Sequence, residues 1–158
     1  MTIRIKRVYD APSTADGSRV LVDRLWPRGV SRARADLDEW LKDVAPSPGL
    51  RTWWNHDPDR IDEFAVRYRA ELDVDPTAAV AVARLRSLVA ANARAGTAIT
   101  LVYGARDPLV NHARILGEYL EATRTAPPAA SPPAAGPPAG EHARTSPGSL
   151  PAGTPPTP

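Results

Sequence analysis

The fold class is decided by residues 97–103, Thr-Ala-Ile-Thr-Leu-Val-Tyr, which carry the clearest strand pattern in the chain. Ile99 and Leu101 point to one face of the extended segment. Ala98 and Val102 point to the other face, so both faces are apolar. A segment that is apolar on both faces is typical of a strand in the middle of a sheet. We therefore predict a central strand over residues 97–103.

Two further segments are predicted to be strands. Residues 2–9 alternate in a way that indicates a half-exposed first strand. Residues 19–25 contain the apolar run Val-Leu-Val at positions 20–22, which suits a strand covered on both faces. About nine residues connect the two segments, whereas a parallel crossover usually needs about a dozen. The two strands are therefore either parallel, or form a hairpin that would separate Tyr9 from Asp23.

Four helix starts are marked by a capping residue followed by proline. Ser or Asp at an N-cap accepts hydrogen bonds from the first N–H groups of a helix, and proline suits the first helical position. The four pairs are Ser47-Pro48, Asp57-Pro58, Asp75-Pro76 and Asp107-Pro108. The third predicted helix runs over residues 77–94 and ends at Gly96. The fourth is predicted from about residue 109 to residue 121.

The C-terminal residues 126–158 differ in composition from the rest of the chain. They hold eleven of the 18 prolines, and their only large apolar side chain is Leu150. Such a stretch cannot bury a core, and its Pro-Pro-Ala repeats favour a mobile chain. We predict one compact domain over residues 1–125, followed by a disordered Pro/Ala/Gly-rich tail over residues 126–158.

The composition excludes several function classes. The chain has no cysteine, which excludes a disulfide framework, a thiolate nucleophile and a Cys-ligated metal site. The formal net charge is only +2, so charge alone does not indicate a nucleic-acid partner. The first ten residues carry Arg4, Lys6 and Arg7 with no apolar run behind them. We therefore expect no signal peptide, no membrane span and a cytoplasmic location.

Six short motifs resemble those of a known family. They are KRVYD at residues 6–10, VDRLWPRG at 22–29, APS at 45–47, HDP at 56–58, YGARD at 103–107 and NHA at 111–113. In this order they resemble the YeaO-like branch of the domain-of-unknown-function 488 family, over residues 3 to about 122. The resemblance implies a small bacterial α/β domain with no established activity, and it favours parallel pairing of the first strands. The expected α/β fold is a small, mostly parallel sheet of three to four strands flanked by about four helices.

The chain departs from other branches of that family at two places. Those branches usually carry a cysteine at the end of the last strand and a Cys-His-Arg triplet at the start of the final helix. In this chain the positions that resemble them are occupied by Tyr103 and by Asn111-His112-Ala113. The histidine is therefore retained, whereas thiol chemistry proposed for relatives does not carry over.

Polar motif residues follow the predicted strands, and parallel strands bring them to one edge of the sheet. Open α/β sheets bind ligands at that edge. The predicted ligand-binding residues are Arg7, Arg24, Arg28, Arg106 and Asn111. Arginine forks beside the N-terminus of the final helix favour a phosphate or carboxylate group. We expect a crevice that binds an anionic small molecule, such as a nucleotide or a phosphorylated or carboxylated metabolite, with or without turnover.

His112, Asp23 and Tyr103 are the candidate catalytic residues. His112 would be the general acid or base, Asp23 would orient the imidazole or the arginines, and Tyr103 would position or donate a proton. Each has a structural alternative: His112 as a core histidine that donates to a carbonyl, and Asp23 as the partner of a buried Arg7. His56 is expected to be a surface or packing residue. No nucleophile stands out, no metal site is expected, and the sequence identifies no cofactor.

Four tryptophans support an alternative function. They are Trp26, Trp40, Trp53 and Trp54. Exposed rings beside arginine would stack on nucleobases or form a partner surface, which would make the protein a non-enzymatic nucleic-acid or protein interaction module. The structural alternative is that the four rings belong to the core. The exposure of the rings distinguishes the two.

Overall fold

The sheet forms around the segment that is apolar on both faces. The computed structural model describes the backbone of residues 3–125 and the side chains of residues 3–123. Within that part of the chain one sheet has four strands: β1 (Ile3–Arg7), β2 (Ser18–Leu21), β3 (Glu39–Trp40) and β4 (Ile99–Tyr103). Their order is β1-β4-β2-β3, and every pairing is parallel. The predicted mostly parallel α/β fold is confirmed, whereas the predicted tail over residues 126–158 lies outside the described residues.

β4 is the central strand of the sheet, as its sequence predicted. All of its residues are buried, and it pairs with β1 on one side and β2 on the other. Leu101 therefore lies opposite both Ile5 and Val20. Because β4 lies between β1 and β2, the hairpin alternative for the first two strands is wrong.

A glycine makes the short connection between β1 and β2 feasible. The connection contains a 3₁₀ turn over Thr14–Asp16 and then Gly17, whose φ of 62° lies in the left-handed region. A Cβ atom at Gly17 would lie 1.9 Å from the carbonyl oxygen of Ala98. Only glycine allows this close approach at this φ, so the chain enters β2 directly beside the start of β4.

A buried ion cluster holds the same connection on one face of the sheet. The Asp16 carboxylate binds Lys6 Nζ at 3.0 Å and contacts the Arg19 guanidinium. The Asp16 carbonyl accepts a 2.7 Å hydrogen bond from Thr100 Oγ1 in β4. Asp16 and Arg19 are each only 3% exposed, so this cluster is part of the folded core and is not available to a ligand.

Five α-helices are present in residues 3–125: α1 (Arg32–Ala35), α2 (Pro48–Trp54), α3 (Ile61–Val74), α4 (Pro76–Ala95) and α5 (His112–Thr125). Ser47 and Asp75 cap α2 and α4 by accepting hydrogen bonds from first-turn N–H groups, as predicted. Asp57 caps a 3₁₀ turn over Pro58–Arg60 that leads directly into α3. None of these helices is long and apolar enough to cross a membrane.

The prediction that Asp107-Pro108 starts the last helix is wrong. The Asp107 carboxylate accepts hydrogen bonds of 2.7 and 3.0 Å from the N–H groups of residues 109 and 110, and these bonds close a turn. The cap is Asn111, whose side-chain oxygen accepts a 3.0 Å hydrogen bond from an N–H group of the first helical turn. Its amide nitrogen donates to the carbonyls of the preceding turn. The helix therefore starts later, at His112, and the imidazole lies in its first turn.

Apolar side chains cover both faces of the sheet. The larger core lies between the sheet and the helices α2 to α5, and in it Trp54 stacks on Phe64 with the ring centroids 3.9 Å apart. The smaller core, on the other face, contains Val8, Leu21, Val30, Ala35 and Val102. Helices and loops thus bury the two faces and leave the carboxyl ends of β2 and β4 accessible at one edge.

Candidate functional site

An open cavity of about 490 Å³ lies at the carboxyl ends of β2 and β4. Its floor consists of residues that follow these two strands and of the first turn of α5. Its walls come from residues 24–28, from residues 45–46 and from the end of α2. Since open α/β sheets bind ligands at this edge, this cavity is the candidate functional site.

Asp23 and His112 form a contact at the floor of the cavity. His112 Nε2 lies 3.1 Å from the carbonyl oxygen of Val22 and 3.3 Å from Asp23 Oδ1. A carbonyl oxygen can only accept, so Nε2 carries the proton and donates it to Val22. His112 is 7% exposed. The structural alternative for His112, a core histidine that donates to a carbonyl, matches this geometry.

Gly104 brings the end of β4 against Asp23. Its backbone N–H donates a 2.7 Å hydrogen bond to Asp23 Oδ2. A Cβ atom at Gly104 would lie 2.7 Å from the same oxygen, closer than side-chain carbons normally approach. A side chain at this position would therefore force the carboxylate to shift from where it accepts this bond.

Burial affects the pKa of both members of the Asp23–His112 pair. It raises the pKa of Asp23 above its ordinary value, against the opposing effects of the imidazole and the Gly104 N–H. Burial lowers the pKa of His112 below its ordinary value, against the opposing effects of Asp23 and the Val22 carbonyl. Because an unperturbed histidine titrates near pH 6.5, the lowered pKa leaves the imidazole of His112 neutral at pH 7.

The side chains of Arg24 and Glu71 hold in place the cavity wall at residues 45–46 and the adjoining Ser47. The Arg24 guanidinium donates to the carbonyl oxygens of Ala45 and Pro46 at 3.1 and 3.4 Å. Glu71 of α3 accepts hydrogen bonds from both the N–H and the hydroxyl of Ser47. This wall is therefore positioned before any ligand binds, and Arg24 is already engaged by protein carbonyls.

Three other basic side chains line the cavity, and two of them are guanidinium groups without partners. Arg28 is exposed and Arg51 is half-buried. Neither guanidinium has a hydrogen bond or an ion pair with any side chain or carbonyl of residues 3–123. His56 is exposed and packs on Trp54 with the ring centroids 4.6 Å apart. The lining of the cavity therefore carries basic side chains with unused hydrogen-bond donors.

Comparison with known proteins assigns the chain to a family. Residues 2–137 match the sequence model of the family described as the inactive DUF488-N3 subclade. The chain belongs to this DUF488 subclade. An uncharacterized protein of Mycobacterium tuberculosis is 41% identical over 118 residues, which cover 75% of this chain and 92% of the relative. The uncharacterized protein YeaO of Escherichia coli is 36% identical over 122 residues, which cover 77% of this chain and 99% of YeaO.

The family resemblance read from the motifs is therefore confirmed. An uncharacterized protein of Mycobacterium bovis is also 41% identical over 118 residues. No solved structure gives a significant match to this DUF488 chain. The relatives identify the family, and the site has to be interpreted from its own geometry.

Four of the eight predicted site residues line the cavity of this DUF488 domain: Asp23, Arg24, Arg28 and His112. They meet because β2 and β4 are neighbouring parallel strands and α5 begins close to their ends. The structure thus brings together the predicted imidazole, one predicted carboxylate and two predicted arginines.

The other four predicted site residues do not line the cavity. Tyr103 is buried in the core, and Asn111 caps α5. Arg7 Nε donates a 3.0 Å hydrogen bond to the carbonyl of Ala105, so Arg7 is not the partner of Asp23. Arg106 is exposed on the connection between β4 and α5. Each of the four has a position that a fold-stabilising or surface residue would occupy.

Arg51 and His56 line the cavity although neither is among the predicted site residues. Arg51 lies in α2, three positions before the buried Trp54, and residues with this spacing share one face of a helix. That spacing is the signal in the sequence which indicates that Arg51 faces the domain rather than solvent. His56 follows α2 with a φ of 56°, a backbone conformation that the sequence does not reveal.

The tryptophans divide into one core residue and three partly exposed residues. Trp54 is fully buried, Trp26 and Trp53 are half-buried, and Trp40 is 36% exposed. The structural alternative of a tryptophan core is confirmed for Trp54 alone. Across the described part of the DUF488 domain, no cluster of three or more metal-ligating side chains is present.

Proposed function

We propose that this protein binds a small organic anion in the cavity at the carboxyl ends of β2 and β4, without converting it. The observation that carries the proposal is the pair Arg28 and Arg51. Both guanidinium groups line one cavity, and neither is paired with an acceptor in the described residues. Arg24, the third arginine of the lining, is held by protein oxygens.

A bound anion would supply the acceptor that these groups lack. Arg51 is half-buried, and a charged group that loses water without gaining a partner is unfavourable. Arginine forks bind phosphate and carboxylate groups through paired, charge-assisted hydrogen bonds. The cavity volume of about 490 Å³ lies within the range of small-molecule sites, about 300–1,000 Å³.

The chemistry of the lining favours binding without turnover. His112 Nε2–H donates a hydrogen bond to the carbonyl of Val22, and the Asp23 carboxylate accepts one from the N–H of Gly104. Among the described residues of the lining there is no Ser, Thr, Cys or Lys side chain that would act as a nucleophile. The family description, an inactive subclade, agrees with a binding role. Asp23 and His112 accordingly hold strand ends together and do not carry out a reaction, and the arginines bind the anionic group.

Thermal unfolding of the full chain against a panel of anions tests this proposal. The panel contains the four ribonucleoside 5′-monophosphates, ribose 5-phosphate, glucose 6-phosphate, citrate and benzoate. A compound at about 100 times its Kd adds about 2.7 kcal/mol to the free energy of unfolding. That stabilisation raises the Tm by several degrees in a domain of this size. We expect at least one such shift, and no shift with any compound would contradict the proposal.

The alternative interaction module has a more limited structural basis. Trp26 and Trp40 are partly exposed and pack edge to face at 5.5 Å. Trp53, which is also partly exposed, is covered by a protein side chain. The Arg67 guanidinium stacks on its ring and also forms an ion pair with Glu63. A fluorescently labelled single strand, titrated at 50 and 200 mM salt, tests this alternative. Binding that weakens steeply with salt would favour a nucleic-acid module over a small-molecule site.

A further inference from the structure

The cavity combines a half-buried carboxylate with guanidinium groups that lack partners in the described residues, and this combination restricts the class of ligand. We propose that the ligand is amphoteric: a planar ring whose N–H groups donate to Asp23, joined to an anionic group that Arg28 and Arg51 bind. A nucleoside 5′-monophosphate has this chemistry. The inference rests on the proposed function, since it names the ligand of the same site.

Asp23 has hydrogen-bonding capacity left for a ligand. Its side chain is 18% exposed and lines the cavity. Oδ2 accepts one short bond from Gly104, and Oδ1 has only the 3.3 Å contact with His112. A carboxylate can accept about four hydrogen bonds, so acceptor positions remain free. A ligand that is only anionic would be repelled from this end, whereas an N–H donor would be bound.

The positive groups lie near Asp23 but do not neutralise it by contact. Arg51 and His56 both lower the pKa of Asp23 through their charge, less strongly than burial raises it. Within residues 3–123, neither forms an ion pair with that carboxylate. The lining of the cavity therefore combines a hydrogen-bond acceptor, Asp23, with nearby guanidinium groups, and a ligand with a donor group and an anionic group complements both.

The apolar part of the lining favours a flat ligand body. Trp26, Pro27 and Pro46 contribute ring surface to it, whereas Trp54 is fully buried and already packs on Phe64 and His56. Trp26 is held in place by the 2.7 Å hydrogen bond from its Nε1 to the carbonyl of Val30. Aromatic side chains bind nucleobases by stacking without a strong preference among bases. A planar heterocycle with N–H groups at its edge suits both this lining and Asp23.

Three matched probes separate the parts of the proposed ligand. Titration calorimetry of the full chain compares each ribonucleoside 5′-monophosphate with ribose 5-phosphate, which lacks the base, and with the nucleoside, which lacks the anion. A hydrogen bond to a charged group contributes about 1.5–3 kcal/mol, or roughly 10- to 100-fold in Kd. We therefore expect at least one nucleotide to bind at least about tenfold more tightly than both of its fragments.

The possible results separate this inference from the proposed function. If ribose 5-phosphate or another anion of the panel binds as tightly as every nucleotide, the inference is overturned while anion binding stands. If no anion of the panel binds, the proposed function fails as well.

The variant Asp23→Asn gives a second readout. It is expected to weaken binding of the nucleotide by about tenfold or more and to leave binding of ribose 5-phosphate unchanged or tighter. Equal weakening of both compounds would show that Asp23 acts only through the fold, and would overturn the inference. Because Asp23→Asn also perturbs the Gly104 bond, the comparison of wild-type affinities remains decisive if the variant does not fold.

Discussion

The carboxylate of Asp23 accepts a 2.7 Å hydrogen bond from the backbone N–H of Gly104, and this bond joins the ends of two neighbouring parallel strands. The backbone pairing there finishes with the 3.0 Å bond from Val22 N to the carbonyl of Val102. The Asp23 side chain thus extends the pairing of β2 and β4 past its last backbone bond. His112 contacts the same segment from α5. The floor of the cavity is therefore built by contacts that also hold the fold together.

The variant Gly104→Ala is expected to destabilise the protein by about 1–3 kcal/mol. The added Cβ would lie 2.7 Å from Asp23 Oδ2 and 3.6 Å from Pro27, so the carboxylate has to move and its hydrogen bond is lost. Urea unfolding at pH 7.5 measures the difference. Gly49→Ala is the matched control, because nothing lies within 4 Å of a Cβ there. Equal stability of the two variants would contradict the role of Gly104.

Lowering the pH from 7.5 to 5.5 is expected to reduce the free energy of unfolding through His112. Burial lowers its folded pKa below its unfolded value, which is near 6.5. Between these two pKa values the unfolded state binds more protons, so stability is complete above about pH 6.5 and falls as the pH decreases. For one histidine the slope is at most about 1.4 kcal/mol per pH unit. Urea unfolding at several pH values measures it.

The variants His112→Asn and His56→Asn separate this effect from other titrations. His112→Asn should flatten the pH dependence between 7.5 and 5.5, while His56→Asn should retain it. Asp23 contributes with the opposite sign, because its pKa is raised on folding and its protonation favours the folded state in the window above about pH 3.9. An unchanged slope in His112→Asn would show that the imidazole does not titrate as its burial implies.

The variant Asp16→Asn is expected to destabilise the protein by about 3–5 kcal/mol. It removes the carboxylate that binds Arg19, which is 3% exposed, and so leaves a buried cation without its counterion. Glu39→Gln is the matched control, since Glu39 pairs with Arg84 at the surface and such pairs contribute about 0–1 kcal/mol. Urea unfolding measures the loss of stability in each variant. Comparable losses in both would mean that the Asp16 cluster does not stabilise the connection between β1 and β2.

The pattern of residues predicts the centre of the fold better than its margins. The apolar segment at 97–103 is sufficient to identify β4, because burial on both faces leaves a signature in five consecutive residues. β3 is only Glu39–Trp40, and two residues cannot show alternation. The predicted start of α5 is wrong because Asp107 and Asn111 are both good capping residues. Only the packed structure shows that Asp107 closes a turn first.

The candidate site was predictable where it depends on strand order. Asp23 and His112 meet because their segments follow parallel neighbours, and parallel pairing fixes which strand ends share an edge. The local spacing of Arg51 and Trp54 shows only that they share a helix face, because the cavity forms where α2 meets residues that are distant in the chain, such as Asp23 and His112. Arg7 ends β1 and Arg106 follows β4, yet neither lines the cavity, and Arg7 instead donates to the carbonyl of Ala105.

The most direct test of the account measures Tm shifts of the anion panel in the double variant Arg28→Gln/Arg51→Gln. Arg4→Gln, which removes one positive charge away from the cavity, is the control, because Arg4 is exposed in β1 at the opposite edge of the sheet. Anion binding by Arg28 and Arg51 predicts that at least one compound raises the Tm of the wild type and of Arg4→Gln by several degrees, and that the double variant shows no shift with the same compound. A double variant that keeps the full shift, or a wild type that responds to no compound, would contradict it.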